Sequence, residues 1–207
     1  MKLELIQPVS QKVHHRLHEQ KKSLAPPLSL AQIAALTPPE FEVSISDENI
    51  SSVDLHKDVD LVGITTMTQT ANRAYEIADS YRARGIKVVI GGIHASVLPE
   101  EASKHADSVV IGEAEGIWST LIEDFKSNNL KSIYRQDKRP SLVNLPVPRR
   151  DLFDKAAYVV PQTTVTTRGC PYNCSFCSVT TFMGHTYRCR PIKEILKEIE
   201  AFDASKP

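Results

Sequence analysis

The sequence predicts an α/β protein, a doubly wound parallel sheet of order 2-1-3-4-5 followed by a shorter second unit. Short β-rich runs alternate with amphipathic stretches, which is the pattern of strand–helix–strand units. Three of the runs are buried-strand types that end at Thr65, at Gly91-Gly92 and at Gly112. All four cysteines fall between Cys170 and Cys189, so they form a local feature and not a disulfide framework.

Leu3 to Gln7 alternates apolar and polar residues and opens the sheet. Gln11 to Lys22 is polar and carries His14, His15 and His18, which reads as an exposed loop or lid. Pro26-Pro27 precedes a short helix with Leu28, Ile33 and Leu36, ending before Pro38-Pro39. Phe41 to Ile45 alternates again as a second strand, and Asp47 to Asp58 is a polar connection. Val59 to Thr65 is a third strand, buried on both faces. Asn72 to Arg84 is helical, with Ala74, Ala78 and Tyr81 on one stripe and Gly85 as its stop. Ile86 to Ile90 is the fourth strand, Pro99 to His105 a short helix, and Ser108 to Ile111 the fifth strand. Ala114 to Lys126 is helical and buries Ile117, Leu121, Ile122 and Phe125. Asn129 to Tyr158 reads as an irregular bridge, rich in proline from Pro140 to Pro148. Thr163 to Thr167 reads as a strand. A helix starts at Pro191, with Ile192, Ile195, Leu196, Ile199 and Phe202 on one stripe.

The chain has 207 residues, room for one domain and part of another, with 41% apolar and 24% charged residues. Basic and acidic residues balance at 25 each, with no long basic run, which argues against binding driven by nucleic-acid phosphates. No window approaches the roughly 18 apolar residues of a membrane span, and the N-terminus lacks a signal-peptide core. A reducing cytoplasmic compartment is the expectation.

The chemistry concentrates in Val165-Thr166-Thr167-Arg168-Gly169-Cys170-Pro171-Tyr172-Asn173-Cys174-Ser175-Phe176-Cys177. Its C-x3-C-x2-C spacing lets a tight loop turn three soft thiolates toward one site, suited to an iron–sulfur cluster or to zinc. A zinc knuckle would be completed by Cys189 or His185. Ferredoxin spacing, C-x2-C-x2-C-x3-C, is absent. The loop, with Phe176 before its last cysteine, resembles the signature of the radical S-adenosylmethionine (SAM) superfamily. That resemblance implies a 4Fe–4S cluster held by Cys170, Cys174 and Cys177, with SAM chelated at the fourth iron. It also implies that Thr163 onward is the first βα unit of a truncated (β/α)6 radical SAM barrel. At about 30 residues per unit, the remainder of such a barrel would need roughly 150 residues more. The expectation is a fragment, split or decayed gene product whose C-terminal helix leaves its apolar face partly exposed.

Five strand units in the N-terminal part suit a flavodoxin-like order, whose crevice lies at the carboxyl ends of the strands. The loops there are Thr65-Thr66-Met67-Thr68, Gly91-Gly92-Ile93-His94 and Gly112-Glu113-Ala114-Glu115. Gly91-Gly92 would let backbone approach a flat ligand, so Gly92→Leu is expected to block that approach with the sheet intact. No G-x-G-x-x-G follows the first strand, which disfavours a dinucleotide. These segments, with Pro26-Pro27-Leu28 and Val62-Gly63-Ile64-Thr65, resemble the cobalamin-binding domain found ahead of many radical SAM domains. Leu145-Pro146-Val147-Pro148-Arg149-Arg150-Asp151 resembles the connector of those families.

The resemblance implies cobalamin contacts at Thr65, Thr66, Met67, Gly91, Gly92, Ile93, His94, Gly112, Glu113 and Glu115. It implies a cobalamin-binding domain over 1–128, a linker over 129–158 and the start of a radical SAM domain over 159–207. The D-x-H-x-x-G of cobalamin-dependent mutases is incomplete at Asp54-Leu55-His56-Lys57-Asp58-Val59, so cobalt is expected without a protein histidine below it. The implied activity is radical SAM chemistry, methyl transfer or rearrangement, on an unknown small-molecule substrate. A reducing partner such as flavodoxin or ferredoxin is implied, without nucleic acid or membrane. The alternatives are a non-catalytic cobalamin module with a zinc or cluster staple, and a methylthiotransferase-like protein. The lack of any cysteine before Cys170 counts against the second of these.

Overall fold

The computed structural model describes residues 1–10 and 22–202. Six parallel strands form one sheet: β1 (Lys2–Gln7), β2 (Glu42–Asp47), β3 (Leu61–Thr65), β4 (Lys87–Gly91), β5 (Ser108–Ile111) and β6 (Ile133–Arg135). Their order is β2-β1-β3-β4-β5-β6. The expected five-strand order is present, and β6 extends it. That strand lies in the stretch read from sequence as an irregular bridge. Three residues are too few to show periodicity, and Ile133-Tyr134-Arg135 buries only Tyr134.

Alternation along the strands supplies two apolar cores. Ile6, Val62, Ile64, Val88, Ile90 and Val109 face helix α2 (Ala71–Ala83), against Ala74, Ile77, Ala78 and Tyr81. Leu3, Leu5, Leu61, Val89 and Val110 face α1 (Leu28–Leu36) and α5 (Trp118–Lys126), against Leu30, Ala34, Trp118, Leu121 and Ile122. Two short helices follow β4 on the α2 side, α3 (Ile93–Val97) and α4 (Pro99–Ala102). The first of these replaces the loop that the sequence predicts at Gly91-Gly92-Ile93-His94. Among the described residues no helix is long and apolar enough to cross a membrane.

The C-terminal unit departs from expectation. Of the strand read at Thr163 to Thr167, only Thr167 remains, in β7 (Thr167–Arg168), which pairs antiparallel with β8 (Arg188–Cys189). Of the preceding carbonyls, that of Thr166 accepts the Arg190 backbone N–H at 2.9 Å, and those of Thr163 and Val165 are taken by side chains. Arg150 donates to the Thr163 carbonyl oxygen and Arg190 to that of Val165. Between β7 and β8 lie the cysteine loop and a short helix, α6 (Val179–Met183). The last helix, α7 (Ile192–Glu200), turns its apolar stripe outward, as expected: Ile192 is 74%, Leu196 52% and Ile199 45% exposed. It buries Glu198 instead, because two guanidiniums beneath the helix, those of Arg150 and Arg190, take that carboxylate.

Candidate functional site

A cavity of about 450 Å³ lies at the carboxyl ends of the strands, on the face shared with α1 and α5. Alternation explains its place. Leu5 and Gln7, Gly63 and Thr65, Val89 and Gly91, and Val110 and Gly112 line it from four adjacent strands and their ends. Glycine at positions 63 and 91 leaves out side chains that would fill this face, whereas a Cβ on Gly112, with φ of 92°, would meet Gln136 at 3.2 Å. A Cβ on Gly63 would meet only the tip of Leu5 within 3 Å, and a Cβ on Gly91 would meet Val110 at an ordinary 3.5 Å. Leu28, Ile33 and Trp118 form the helical wall, and the Trp118 indole donates to Thr37 Oγ1 at 2.9 Å. Leu142, Leu145 and Pro148 cross above α1, held there by Gln32 Nε2 donating to the Pro146 carbonyl oxygen at 3.1 Å. The remaining wall comes from the C-terminal unit: Val165, Arg168, Phe182, Met183, Arg190 and Glu198.

Nine of the ten expected crevice residues line this cavity: Thr65, Thr66, Met67, Gly91, Gly92, Ile93, Gly112, Glu113 and Glu115. His94 does not. Its ring is buried on the α2 side, with Nε2 3.1 Å from Tyr75 Oη and 3.2 Å from Glu101 Oε1, and Nδ1 3.3 Å from Thr68 Oγ1. On a helix one residue is a rotation of about 100°, so Ile93 and His94 cannot share a face. Burial, and then the Glu101 carboxylate, push the Tyr75 phenol upward, while bonding to His94 holds Glu101 below the usual carboxylate range. This cluster staples the β4 loop to α2 and has no access to the cavity. His14, His15 and His18 lie outside the described residues.

Gly92 serves backbone geometry at the cavity edge. Its φ of 99° and ψ of −176° belong to a region essentially reserved for glycine. A Cβ there would lie 2.5 Å from the Thr66 carbonyl oxygen and 2.7 Å from its nitrogen. Gly92→Leu therefore cannot leave the loop intact, contrary to the sequence reading.

Glu113 and Glu115 present their carboxylates to arginines of the C-terminal unit. Arg168 donates to Glu113 Oε2 at 2.6 Å and to Glu115 Oε1 at 2.5 Å, and Arg188 donates to both Glu113 oxygens. Behind them, Glu198 is fully buried and accepts from Arg150 and Arg190. Burial alone would raise the Glu198 carboxyl, but the two guanidiniums outweigh it and hold it below the ordinary value. A depressed carboxylate contributes stability above its unfolded pKa and loses it as pH falls through the lower folded value. Glu198→Gln should therefore lower stability near pH 7, where losing one partner of a buried ion pair costs about 3–5 kcal/mol. The gap to wild type should close as pH falls below roughly 4. Thermal melts between pH 7 and 3 check this, and a gap constant over that range would contradict it.

Cys170, Cys174 and Cys177 occupy the loop between β7 and β8, and Cys189 lies in β8. Gly169, with φ of 91°, admits no side chain: its Cβ would lie 2.1 Å from the Thr186 carbonyl oxygen. The loop then closes through Cys170 N donating to the Gly184 carbonyl oxygen at 3.0 Å and Cys177 N donating to that of Cys174 at 3.0 Å. Cys170 and Cys177 are half-buried, and Cys174 and Cys189 are exposed. Among the described residues no three His, Cys, Asp or Glu side chains gather closely enough to hold a single metal ion. The donor set, three thiols with no carboxylate or imidazole among them, suits the cluster.

Sequence reasoning missed Trp118, the linker residues over α1, and the arginines Arg168, Arg188 and Arg190. The arginine signal was available: Arg188 and Arg190 flank Cys189 at the two-residue spacing that puts both on one strand face.

Residues 21–122 match the family model described as B12 binding domain. The chain is 40% identical over 180 residues to bacteriochlorophyllide d C-8(2)-methyltransferase of Chlorobaculum tepidum, across 84% of this chain and 40% of that protein. It is 32% identical over 206 residues to bacteriochlorophyllide d C-12(1)-methyltransferase of the same organism, across 95% of this chain and 44% of that one. It is 24% identical over 181 residues to hopanoid C-2 methylase of Rhodopseudomonas palustris, across 84% of this chain and 34% of that one. The chain spans about two fifths of the length of the first two relatives. A six-stranded parallel sheet, a glycine-floored cavity at its carboxyl edge and this match agree: over residues 21–122 the chain carries a member of the B12 binding domain family.

Proposed function

We propose that this chain is the cobalamin- and cluster-binding part of a radical SAM methyltransferase that methylates carbon in a small-molecule substrate. The observation that carries the reading is the cavity: one wall is the carboxyl edge of the B12 domain, and the facing wall belongs to the cysteine-bearing unit. Methyl transfer is favoured over rearrangement because the relatives named above are methyltransferases and a methylase. The C-terminal unit is read as the opening of a radical SAM barrel. Cys170, Cys174 and Cys177 would hold the 4Fe–4S cluster, and a reducing partner such as flavodoxin or ferredoxin would supply its electron.

The glycine floor at Gly63 and Gly91 suits a flat macrocycle, and Leu28, Ile33 and Trp118 would cover its apolar face. The buried Arg190–Glu198 pair keeps its charges matched at the cavity wall. When bound, cobalamin supplies a transferable methyl group, and SAM with the reduced cluster supplies a carbon-centred radical.

The test is anaerobic incubation with cobalamin, gel filtration, and paramagnetic resonance of the retained Co(II). Near-stoichiometric retention with an unsplit, histidine-free cobalt signal is expected. No retention would overturn the cobalamin reading. A nitrogen-split signal that vanishes when His14, His15 and His18 are replaced together would overturn the absence of a histidine ligand.

A further inference from the structure

Glu113 follows Gly112 at the carboxyl end of β5, inside the B12 domain, and its side chain is only 9% exposed. It takes two guanidiniums from different strands. Arg168 ends β7, two residues before Cys170, and Arg188 opens β8, on the far side of the cysteine loop. Arg168 and Arg188 are register partners in the antiparallel pair, so they stand side by side on one face. Two like charges held together there need an anion between them. Arg188 also donates to the carbonyl oxygens of Pro140 at 2.8 Å and Met183 at 3.1 Å, reaching the linker and α6. On the other side, the Gly112 N–H donates to Ser96 Oγ at 3.0 Å, which fixes the turn before Glu113 to α3.

We propose that Glu113 is the positioning residue that holds the cysteine loop in place over the cavity, by bracing both strands that flank it through Arg168 and Arg188. Glu115 braces Arg168 alone. Glu113 is the single carboxylate, among the described residues, that joins β7 and β8 to the B12 domain together. Its position at the cavity lip accounts for its presence beside a glycine better than a ligand contact does, because both its oxygens are already engaged by guanidinium donors. This role rests on the three cysteines being the functional loop, as proposed above, but the bracing itself needs no cofactor.

Hydrogen exchange on the unloaded chain, read by mass spectrometry, tests the bracing. Removing the charge in Glu113→Gln should speed exchange at 166–171 and 184–190 by at least about tenfold, since hydrogen bonds to charged groups are the stronger class. Peptides from β1, β3 and β4 should exchange as in wild type. Glu113→Asp, which keeps the charge, should restore most of the protection. Arg168→Gln combined with Glu113→Gln should fall short of the sum of the two alone, because both remove the Arg168–Glu113 pair, while Arg168–Glu115 is lost only with the arginine and Arg188–Glu113 only with the glutamate. Unchanged exchange in Glu113→Gln, or acceleration spread evenly over the sheet, would overturn the proposal. In reconstituted protein, Glu113→Gln should also broaden the resonance of the reduced cluster. A wild-type chain that takes up no iron would overturn the cluster reading and leave the exchange result standing.

Discussion

Gly91→Leu is expected to abolish cobalamin retention in a protein that still folds, and Gly92→Leu to destabilise the fold itself. The two glycines are adjacent and do different work. Gly91 ends β4 in ordinary strand conformation, and its missing Cβ points into the cavity with Val110 as its only neighbour within 4 Å. A leucine there fills space above the glycine floor. Glycine inside a strand is worth roughly 0.5–1 kcal/mol less than alanine, so the substitution should leave the melting temperature level or higher. Gly92 stands in a glycine-only conformation, at a cost of order 1–3 kcal/mol for any other residue. Its new Cβ would also overlap the Thr66 backbone, and Thr66 holds β3 to β4 by donating N–H and Oγ1 to the Gly91 carbonyl oxygen, each at 2.8 Å. Melting curves should place Gly92→Leu well below wild type and Gly91→Leu beside it. Gel filtration with cobalamin then separates a blocked cavity from a broken loop. Retention by Gly91→Leu equal to wild type would remove the cavity from the reading.

The sheet was legible because its signals are periodic and repeated. Val62, Ile64, Val88 and Ile90 fill one core and Leu61 and Val89 the other, so each buried strand read as a continuous apolar run. The crevice was legible through topology, since ligands in such folds bind at the carboxyl ends of strands. What stayed hidden was the face. Only alternation within each strand says that Gly63 and Gly91 share the α1 and α5 side, and reading each strand end as a loop motif discards that information. His94 was assigned to the crevice for the same reason: a motif names neighbours in sequence, and the helix at Ile93–Val97 turns them apart.

The C-terminal unit was legible only in its chemistry. The cysteine spacing and the loop glycine are local and survive into the structure, but the strand before them does not. Thr163 to Thr166 has the composition of a strand, and composition cannot show that Arg150 and Arg190 take its carbonyls. The exposed apolar stripe of α7 matches expectation, but the burial of Glu198 on its other face does not follow from the spacing. Amphipathic spacing says that one face differs from the other. Which face turns inward was decided by a pair of arginines, one of them 48 residues away in sequence.

Cys170→Ala, Cys174→Ala and Cys177→Ala are each expected to lose the cluster after anaerobic reconstitution, and Cys189→Ala to keep it. Cys189 lies in β8 opposite Thr167 and between Arg188 and Arg190. Strand alternation sends those two arginines inward, to Glu113 and Glu198, and so sends Cys189 outward, where it is exposed. The loop cysteines are placed differently. Gly169 follows β7 with a φ of 91°, Cys170 donates its N–H to the Gly184 carbonyl oxygen, and Cys177 N–H closes a turn on the Cys174 carbonyl oxygen. Each iron corner left without its thiolate is open to water, so one deletion should suffice to strip the site. Iron and acid-labile sulfide should fall to background in the three loop variants and stay at the wild-type level in Cys189→Ala. Zinc in place of iron in wild-type protein would favour a closed structural site. Retention by Cys174→Ala with loss in Cys189→Ala would move the cluster onto a different set of thiols and break the reading of the C-x3-C-x2-C loop.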